Sequence, residues 1–219
     1  IVETDDDNYP KNNFFKNLKI KKILKELSGP KWINILAVFK KNNQAIWPRG
    51  YPLNLINHQK KIKVTKKEIF SPIQQRMCDG NPDVDAVYRL THKFKNQTFK
   101  NDNFALNSKS ICPFNSQNTV WHEIAFPLMY LPSYCTMRAT DIWRGFVATK
   151  ILENYSWNLT FLNSTVVQIR NAHNLMNDFI QEIPVYKDTT NFCKALDELK
   201  LSGKYEDILI NIHKCYQKL

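Results

Sequence analysis

The sequence predicts an α/β fold, because segments typical of strands and of helices alternate along the chain. With 219 residues, 43% of them hydrophobic, the chain is long enough to bury a core as one domain, or as one domain with a small appendage. Residues 136–155 place apolar side chains on one helical face. Residues 157–169 have an alternating pattern that includes β-branched residues, which predicts one or two strands. A helical tail follows, because residues 191–219 predict two short helices around Gly203.

The earlier segments predict further elements. Residues 14–27 have loosely helical apolar spacing, although in poor phase, and residues 32–39 are a short apolar run that predicts a buried strand. Residues 45–53 hold two prolines and a glycine and predict a loop with an exposed Arg49. Residues 84–91 predict a strand or a short helix, and residues 92–110 predict a loop or a hairpin.

Composition excludes several classes of protein. No apolar run approaches the ~18 residues needed to span a membrane. The five cysteines are widely spaced and form no C-x-x-C pair, which argues against a zinc site. Their odd number leaves two alternatives open: free buried thiols, or two disulfides with one cysteine to spare.

The net charge of +11 is concentrated in one segment. Residues 11–69 hold 15 basic residues against Glu26 and Glu68, a net charge of +13. Such a segment can meet nucleic acid, an anionic membrane surface or a phosphorylated substrate. Its lysines lack the interleaved aromatic residues of a nucleic-acid platform, so a solvated surface is favoured and no nucleic-acid partner is expected.

A cluster of acids opens the chain in "VETDDDNYP", and it has three interpretations. It is a solvated turn, a calcium loop, or a metal site at the edge of a sheet. An EF-hand starting at Asp5 requires glycine and glutamate where Pro10 and Lys16 stand, so the calcium loop fails. A D-x-D at the end of a strand gathers oxygen ligands that suit Mg²⁺ or Mn²⁺ with a diphosphate. The candidate ligands are Glu3, Asp5, Asp6 and Asp7.

Two more polar groups are candidates. In "TDIWRGF", Asp141 and Arg144 lie one helical turn apart, where they form either a plain ion pair or a general base with a phosphate-binding arginine. In "QIRNAHNLMNDF", His173 is either a metal ligand or a hydrogen-bonded turn histidine, and the spacing favours the second alternative.

Read together and in order, five motifs resemble the STELLO-like family of glycosyltransferases, its animal and microbial branch more than its plant branch. They are "ETDDDNYP", "AIWPRGYPL", "QQRMCDGNPDVDAVYRLT", "CPFNSQNTVWHEIAFPLMYLP" and "RATDIWRGFVATKIL". The resemblance runs from the first residue to about residue 187 and then weakens. It therefore divides the chain into a glycosyltransferase domain, residues 1–187, and a helical extension, residues 188–219.

The resemblance implies a GT-A-like, Rossmann-type fold. In such folds the D-x-D closes the strand after the nucleotide-binding half. Because this chain begins at that strand, we expect it to be the C-terminal portion of a larger domain whose N-terminal half lies upstream. The resemblance also implies a type II membrane protein of the Golgi lumen, held by an anchor outside this chain. Four glycosylation sequons, at Asn96, Asn154, Asn158 and Asn163, permit that location.

The implied chemistry is metal-dependent transfer of a sugar from a nucleotide-sugar donor to a hydroxyl of a glycan or protein-linked acceptor. Asp5 and Asp7, assisted by Asp6 or Glu3, are expected to hold Mn²⁺ or Mg²⁺. The plant pattern differs around His173, which puts its role as a ligand in doubt. The remaining expected roles are diphosphate binding by Arg49 and Arg144, general base catalysis by Asp141, and binding of acceptor hydroxyls by Asp83, Asp85, Asn115 and Asn118. The alternative is a non-catalytic family member that acts as a scaffold or trafficking factor for other Golgi enzymes.

Overall fold

Helices and strands alternate along the chain, as the sequence predicts. The structure, a computed structural model, describes residues 1–57 and 60–219. The described residues form eight strands: β1 (Val2–Thr4), β2 (Asn8–Pro10), β3 (Lys21–Ser28), β4 (Lys63–Phe70), β5 (Ile73–Gly80), β6 (Phe104–Leu106), β7 (Asn118–Trp121) and β8 (Leu159–Gln168). They also form the helices α1 (Ile35–Phe39), α2 (Ala86–Thr91), α3 (Met137–Asn154), α4 (Leu175–Asp197) and α5 (Ile208–Tyr216), and the 3-10 helices Leu53–Leu55, Glu123–Met129 and Tyr205–Asp207.

The strands form one mixed sheet in the order β1-β7-β5-β8-β6-β3-β4, with β2 paired to β8. The pairs β5–β8 and β3–β6 are parallel, and the other pairs are antiparallel. The β5–β8 pair ends with Gly80 opposite Gln168, so the two strands finish at the same edge. We call the region around these two residues the carboxyl edge. It is the edge at which α/β folds bind ligands.

Helix α3 is buried along most of its length and contacts both α4 and α5. Its predicted apolar face, with Ile142, Phe146 and Ile151, lies in the core. Its polar residues Asp141 and Arg144 are buried as well, so each needs a partner. The mixed α/β fold with a helical C-terminal region is therefore confirmed, and α4 runs without a break across residue 187.

Two predicted elements are wrong. The predicted helix over residues 14–27 does not form: residues 14–20 are irregular and residues 21–27 belong to strand β3, which pairs with β4 along all eight of its residues and with β6 on its other side. The predicted strand over residues 32–39 is the short helix α1, whose Asn34 side chain caps it by accepting from the N–H of Ala37. Apolar runs this short do not distinguish a buried strand from a buried helix.

The other predictions fare better. Residues 136–155 are helix α3, residues 157–169 contain the single strand β8, and the second tail helix is α5. The first tail helix is only the end of α4, which begins at Leu175. Residues 84–91 are mainly helix α2, and the stretch from 92 to 110 contains the short strand β6.

Cysteines and hydropathy complete the description. Each of the five cysteines is a free thiol, which settles the alternatives left by their number, and four of them are buried. Within the part of the chain that the structure describes, none of the helices combines the length and the apolar character needed to span a bilayer.

Candidate active site

Polar residues from five parts of the chain meet at the carboxyl edge. The acid turn, residues 5–7, joins β1, which pairs with β7, to β2, which pairs with the last residues of β8. The loop after β5 brings Asp83, and the loop before β7 brings Asn115 and Gln117. Arg49 comes from the irregular segment before the first 3-10 helix, and Asp141 comes from the second turn of α3. The predicted position of the D-x-D at a sheet edge is thus the observed one.

Asp5 and Asp7 share one hydrogen-bond donor. The Gln168 amide Nε2, at the end of β8, donates to Asp7 Oδ1 at 2.7 Å and to Asp5 Oδ2 at 3.3 Å. The backbone N–H of Asn171 donates to the second oxygen of Asp7 at 3.2 Å. Asp6, between them, is exposed. The turn therefore holds two carboxylates side by side and points the third away.

A chain of amides joins this carboxylate pair to Asp83. Gln117 Nε2 donates to Gln168 Oε1 at 2.7 Å, and Gln117 Oε1 accepts from the backbone N–H of Asp83 at 3.1 Å. Asn115 Nδ2 then donates to Asp83 Oδ2 at 2.7 Å. The buried glutamines Gln117 and Gln168 were not among the predicted site residues, although both lie within motifs that the sequence analysis singled out.

Arg49 is buried between two carboxylates. Its Nε donates to Asp83 Oδ2 at 2.9 Å, and its two terminal nitrogens donate to the two oxygens of Asp141 at 2.9 and 2.8 Å. Burial opposes the charge of Arg49, but the carboxylates of Asp141 and Asp83 outweigh it and raise the pKa of Arg49. Burial in turn opposes the charge of Asp83, but Arg49 lowers the pKa of Asp83 below its ordinary value. The three predicted residues therefore lie together as one ion-paired group.

Asp5 lacks such a partner. Burial, and then repulsion from Asp83 and Asp7, raise the pKa of Asp5 to about 7. Its one side-chain hydrogen bond among the described residues comes from the neutral amide of Gln168. Asp5 thus lies in an excess of negative charge that a cation would relieve.

Three arginines, which we call the arginine cluster, lie next to this site. Arg170 Nη2 donates to Asp178 Oδ2 at 3.1 Å, and Arg138 Nε donates to Glu182 Oε1 at 2.6 Å. Arg89 Nη2 donates to the neutral Asn81 Oδ1 at 2.6 Å, and no carboxylate in the described part of the chain forms a salt bridge with Arg89. Burial, and then repulsion from Arg170, lower the pKa of Arg89 to about 10. The cluster therefore contains one positive charge without a direct counter-ion.

The arginine cluster is linked to both carboxylate groups. Arg170 lies one residue before Asn171, whose N–H holds Asp7, and the backbone carbonyl of Arg138 accepts a hydrogen bond from Arg49. The charges of Arg138 and Arg170 also contribute to the lowered pKa of Asp83. The arginine cluster therefore lies beside the carboxylates and influences their charge.

Two predicted acceptor-binding residues have structural roles instead. Asp85 is fully buried, caps helix α2 by accepting from the N–H of Tyr88, and accepts from Trp47 Nε1 at 2.7 Å. Asn118 is fully buried and donates to the carbonyl of Met77 and to Thr165 Oγ1. Neither side chain reaches a surface from which it can bind an acceptor hydroxyl.

The predicted Asp141–Arg144 pairing is replaced by two other pairs. Arg144 binds both oxygens of Glu3 at 2.9 Å and stacks on Trp121, while Asp141 binds Arg49. Arg144 is 1% exposed, so it is not available to a diphosphate, and Glu3 is engaged as its counter-ion rather than turned toward Asp5. This pair instead fixes strand β1 to helix α3.

His173 lies with the arginine cluster. Its Nδ1 is 3.4 Å from Asp178 Oδ2, a carboxylate that pairs with the arginine cluster. In sequence, His173 follows Asn171, whereas Gln168 precedes it. Among the described residues, no group of three or more histidine, cysteine or acidic side chains is arranged to hold a metal ion. The structure thus leaves Asp5 and Asp7 as the candidate protein ligands. Such a pair fits Mg²⁺ or Mn²⁺, which are often bound by one or two carboxylates together with substrate phosphates.

Comparison with known proteins confirms the family resemblance. The family model of STELLO glycosyltransferases matches residues 138–219, from the start of α3 to the last residue. The matched range therefore includes residues 188–219. STELLO2 of Arabidopsis thaliana, described as a probable glycosyltransferase, is 34% identical over 121 residues, and STELLO1 of the same plant, described likewise, is 33% identical over 121 residues. Each alignment covers 50% of this chain and 15% of the relative, so the chain spans a small part of their length.

Proposed function

From its similarity to STELLO glycosyltransferases, we propose that this protein takes part in the metal-dependent transfer of a sugar from a nucleotide-sugar donor to a hydroxyl of a glycan or protein-linked acceptor. The observation that carries the proposal is the pair of carboxylates Asp5 and Asp7 at the carboxyl edge, held by one amide of Gln168 and flanked by the arginine cluster. Oxygen ligands beside guanidinium groups suit a divalent ion together with a diphosphate.

Asp5 and Asp7 are the residues that would hold Mn²⁺ or Mg²⁺ in this proposal. The excess negative charge around Asp5 supports it, because a bound cation removes the repulsion from Asp83 and Asp7. When bound, the ion would neutralise charge that develops on the departing diphosphate. Gln168 orients both carboxylates, and Gln117 orients Gln168.

The arginine cluster, rather than Arg49 and Arg144, is proposed to bind the diphosphate. Arg49 is ion-paired with both Asp83 and Asp141, and Arg144 is 1% exposed and ion-paired with Glu3. Arg170 uses one terminal nitrogen on Asp178, and Arg89 has only neutral partners, so both retain donors for a further anion. These guanidinium groups would share the charge of the leaving group with the cation held by Asp5 and Asp7.

Asp141 and Asn115 keep their expected roles as proposals. The contacts of Asp141 make it first a positioning residue for Arg49, so a general-base role requires that the ion pair loosen when substrate binds. Asp83 and Asn115 face the same space and remain the candidates for binding hydroxyl groups.

A Golgi-lumen location is likewise proposed from the family resemblance. Of the four sequons, Asn158 is buried and donates to the carbonyl of Leu106, so it is unsuited to carry a glycan.

Calorimetric titration tests the proposal directly. The purified protein is titrated with uridine and guanosine diphosphate sugars, with and without Mn²⁺. We expect metal-dependent binding that Asp5→Asn and Asp7→Asn each weaken at least about tenfold, because each removes one charged ligand. Asp6→Asn is the matched control, since it makes the same chemical change at the exposed residue between them.

Two results would contradict the proposal. One is the absence of binding to every donor by protein shown to be folded, which favours the scaffold alternative. The other is binding that Asp6→Asn reduces as much as Asp7→Asn does, since this reports a general loss of negative charge rather than a ligand pair.

A further inference from the structure

A cavity of about 690 Å³ lies on the opposite face of α3 from the charged site. It is lined by the loop 130–136, the first turns of α3, the middle of α4 and the end of α5. We call it the aromatic pocket. Its volume lies within the range of small-molecule sites, about 300–1,000 Å³.

Aromatic rings form the walls of the aromatic pocket. Trp143 and Phe192 meet edge to face with ring centres 5.3 Å apart, and Tyr130 and Tyr216 meet edge to face at 5.4 Å. The hydroxyl of Tyr216 also donates to the carbonyl of Tyr130 at 2.9 Å. These contacts hold the walls in place before any ligand binds. Tyr134, by contrast, is fully exposed at the mouth.

Three solvent-exposed polar side chains line the same space. Asp188 and Asn191, one turn apart on α4, both line the pocket, and His213 lines it from α5. No side-chain hydrogen bond or ion pair to any of the three occurs among residues 1–57 and 60–219. Their hydrogen-bonding groups are therefore free to serve a ligand.

The combination of aromatic walls and polar side chains in the aromatic pocket favours some classes of ligand over others. An acyl chain would leave the carboxylate and the amide without partners, which is unfavourable when they are covered. Asp188 and Lys218 both line the pocket, so these two side chains together offer no net positive charge to attract a phosphate. A saccharide offers apolar ring faces to aromatic walls, and hydroxyl groups that both donate to a carboxylate and accept from an amide.

The position of the pocket links it to the proposed reaction. Ala139 and Trp143 line the pocket, whereas Asp141, between them in sequence, binds Arg49 on the other side of the helix. Residues two apart on a helix point about 200° apart, and a helix with its side chains is about 10 Å wide. The pocket and the charged site are thus separated by the thickness of one helix near its exposed start at Met137.

We propose that the aromatic pocket binds a saccharide, and that it holds the acceptor glycan at a sugar unit removed from the reacting hydroxyl. The second part rests on the proposed function, whereas the first does not. A glycan seated there passes around the start of α3 to reach the carboxyl edge.

Titration with neutral tetrasaccharides tests this inference. Cellotetraose, mannotetraose and chitotetraose are titrated without metal or nucleotide, and octanoate serves as the acyl-chain probe. We expect saturable binding of at least one tetrasaccharide. Tyr134→Ala should weaken it about five- to tenfold through loss of a stacking surface. Asp188→Asn should weaken it by a similar factor through loss of a charged acceptor. The matched control is Tyr9→Ala, an exposed tyrosine on β2 outside the pocket.

The outcomes separate this inference from the proposed function. Loss of tetrasaccharide binding in Tyr134→Ala with intact metal-dependent donor binding supports the pocket. Tetrasaccharide binding without any donor binding supports the saccharide site and contradicts the transferase. No saturable tetrasaccharide binding by folded protein, equal loss in Tyr9→Ala, or preferential binding of octanoate would each overturn the inference.

Discussion

The Asp5 carboxyl group lies in surroundings that oppose its charge, so replacing it with a neutral side chain should make the folded protein more stable. Its pKa, raised from 3.8 to about 7, means that the folded protein binds an extra proton between these values. The contribution of Asp5 to the free energy of unfolding therefore falls as pH rises from about 4 to 7. We expect Asp5→Asn, without metal, to raise this free energy at pH 8 by about 1–3 kcal/mol.

Urea unfolding at pH 4, 6 and 8 measures the effect. The gain should be largest at pH 8 and should become small at pH 4, because Asp5 is then protonated in the folded protein and partly protonated in the unfolded chain, where its ordinary pKa is 3.8. Asp6→Asn should show little change at any pH, because Asp6 is exposed. An Asp5→Asn protein that is no more stable than the parent at pH 8 would show that the acid turn is not under repulsion.

Residue type and position in the chain were enough to predict five of the site residues. Asp5, Asp7, Arg49, Asp83 and Asp141 do meet at one edge. Partner choice was not predictable, because it depends on which strands lie side by side. Local spacing paired Asp141 with Arg144, whereas the fold brings Arg49 and Glu3 to them across 92 and 141 residues of chain. Amides such as Gln117 and Gln168 carry no sequence signal of their own.

At the scale of elements, helix α3 packs tightly against the loop before β7 at Gly145. A Cβ atom there would lie 2.6 Å from the carbonyl oxygen of Phe114, next to Asn115. We expect Gly145→Ala to lower the free energy of unfolding by about 1–3 kcal/mol, because neither backbone can give way easily. The displaced loop should also weaken donor binding, since Asn115 holds Asp83.

Gly203→Ala is the matched control for this change. A Cβ atom at Gly203 meets nothing within 4 Å, so that protein should be as stable as the parent or slightly more stable. Thermal unfolding of both variants decides the matter. Equal behaviour of the two alanine variants would mean that α3 and the loop move apart at little cost.

Elements with strong local patterns were predictable, and those fixed by pairing were not. Helix α3 has a full apolar face and β8 has a run of β-branched residues, so both were found with nearly correct ends. Strand β3 exposes 66% of Ile23 and contains three lysines among its eight residues, so its identity depends on β4 and β6 rather than on its own residues. Helix α4 contains Pro184, a residue that normally indicates the end of a helix, so the sequence does not indicate the full length of α4.

At the scale of the whole molecule, the net charge of +11 arises mainly from residues 11–69, which contain strand β3 and nearly all of its neighbour β4. Lys25 and Lys66 stand directly opposite each other on these strands. We expect Lys66→Glu to stabilise the protein by about 0.3–1 kcal/mol, since it replaces a like-charge pair with an opposite-charge pair. The gain should shrink between 20 and 300 mM NaCl because salt screens surface charges.

Lys63→Glu serves as the control, since its partner across the strands is the neutral Ser28. It lowers the net charge by the same amount without changing a charged pair. If both variants gain equally, total charge rather than the facing lysines limits stability. Guanidinium-free denaturation, by urea or heat, keeps the ionic strength under control.

The acid turn also has a consequence for how the chain matures. Asp7 and Gln168 are 161 residues apart, and Ile1 and Trp121 are 120 apart, so the first ten residues have their partners late in the sequence. At about 5–20 residues per second, a ribosome adds Gln168 roughly 8–32 s after Asp7. Throughout that time the carboxylates lack the donor that brings them together. A growing chain therefore cannot bring the two carboxylates together in this arrangement until Gln168 has been added.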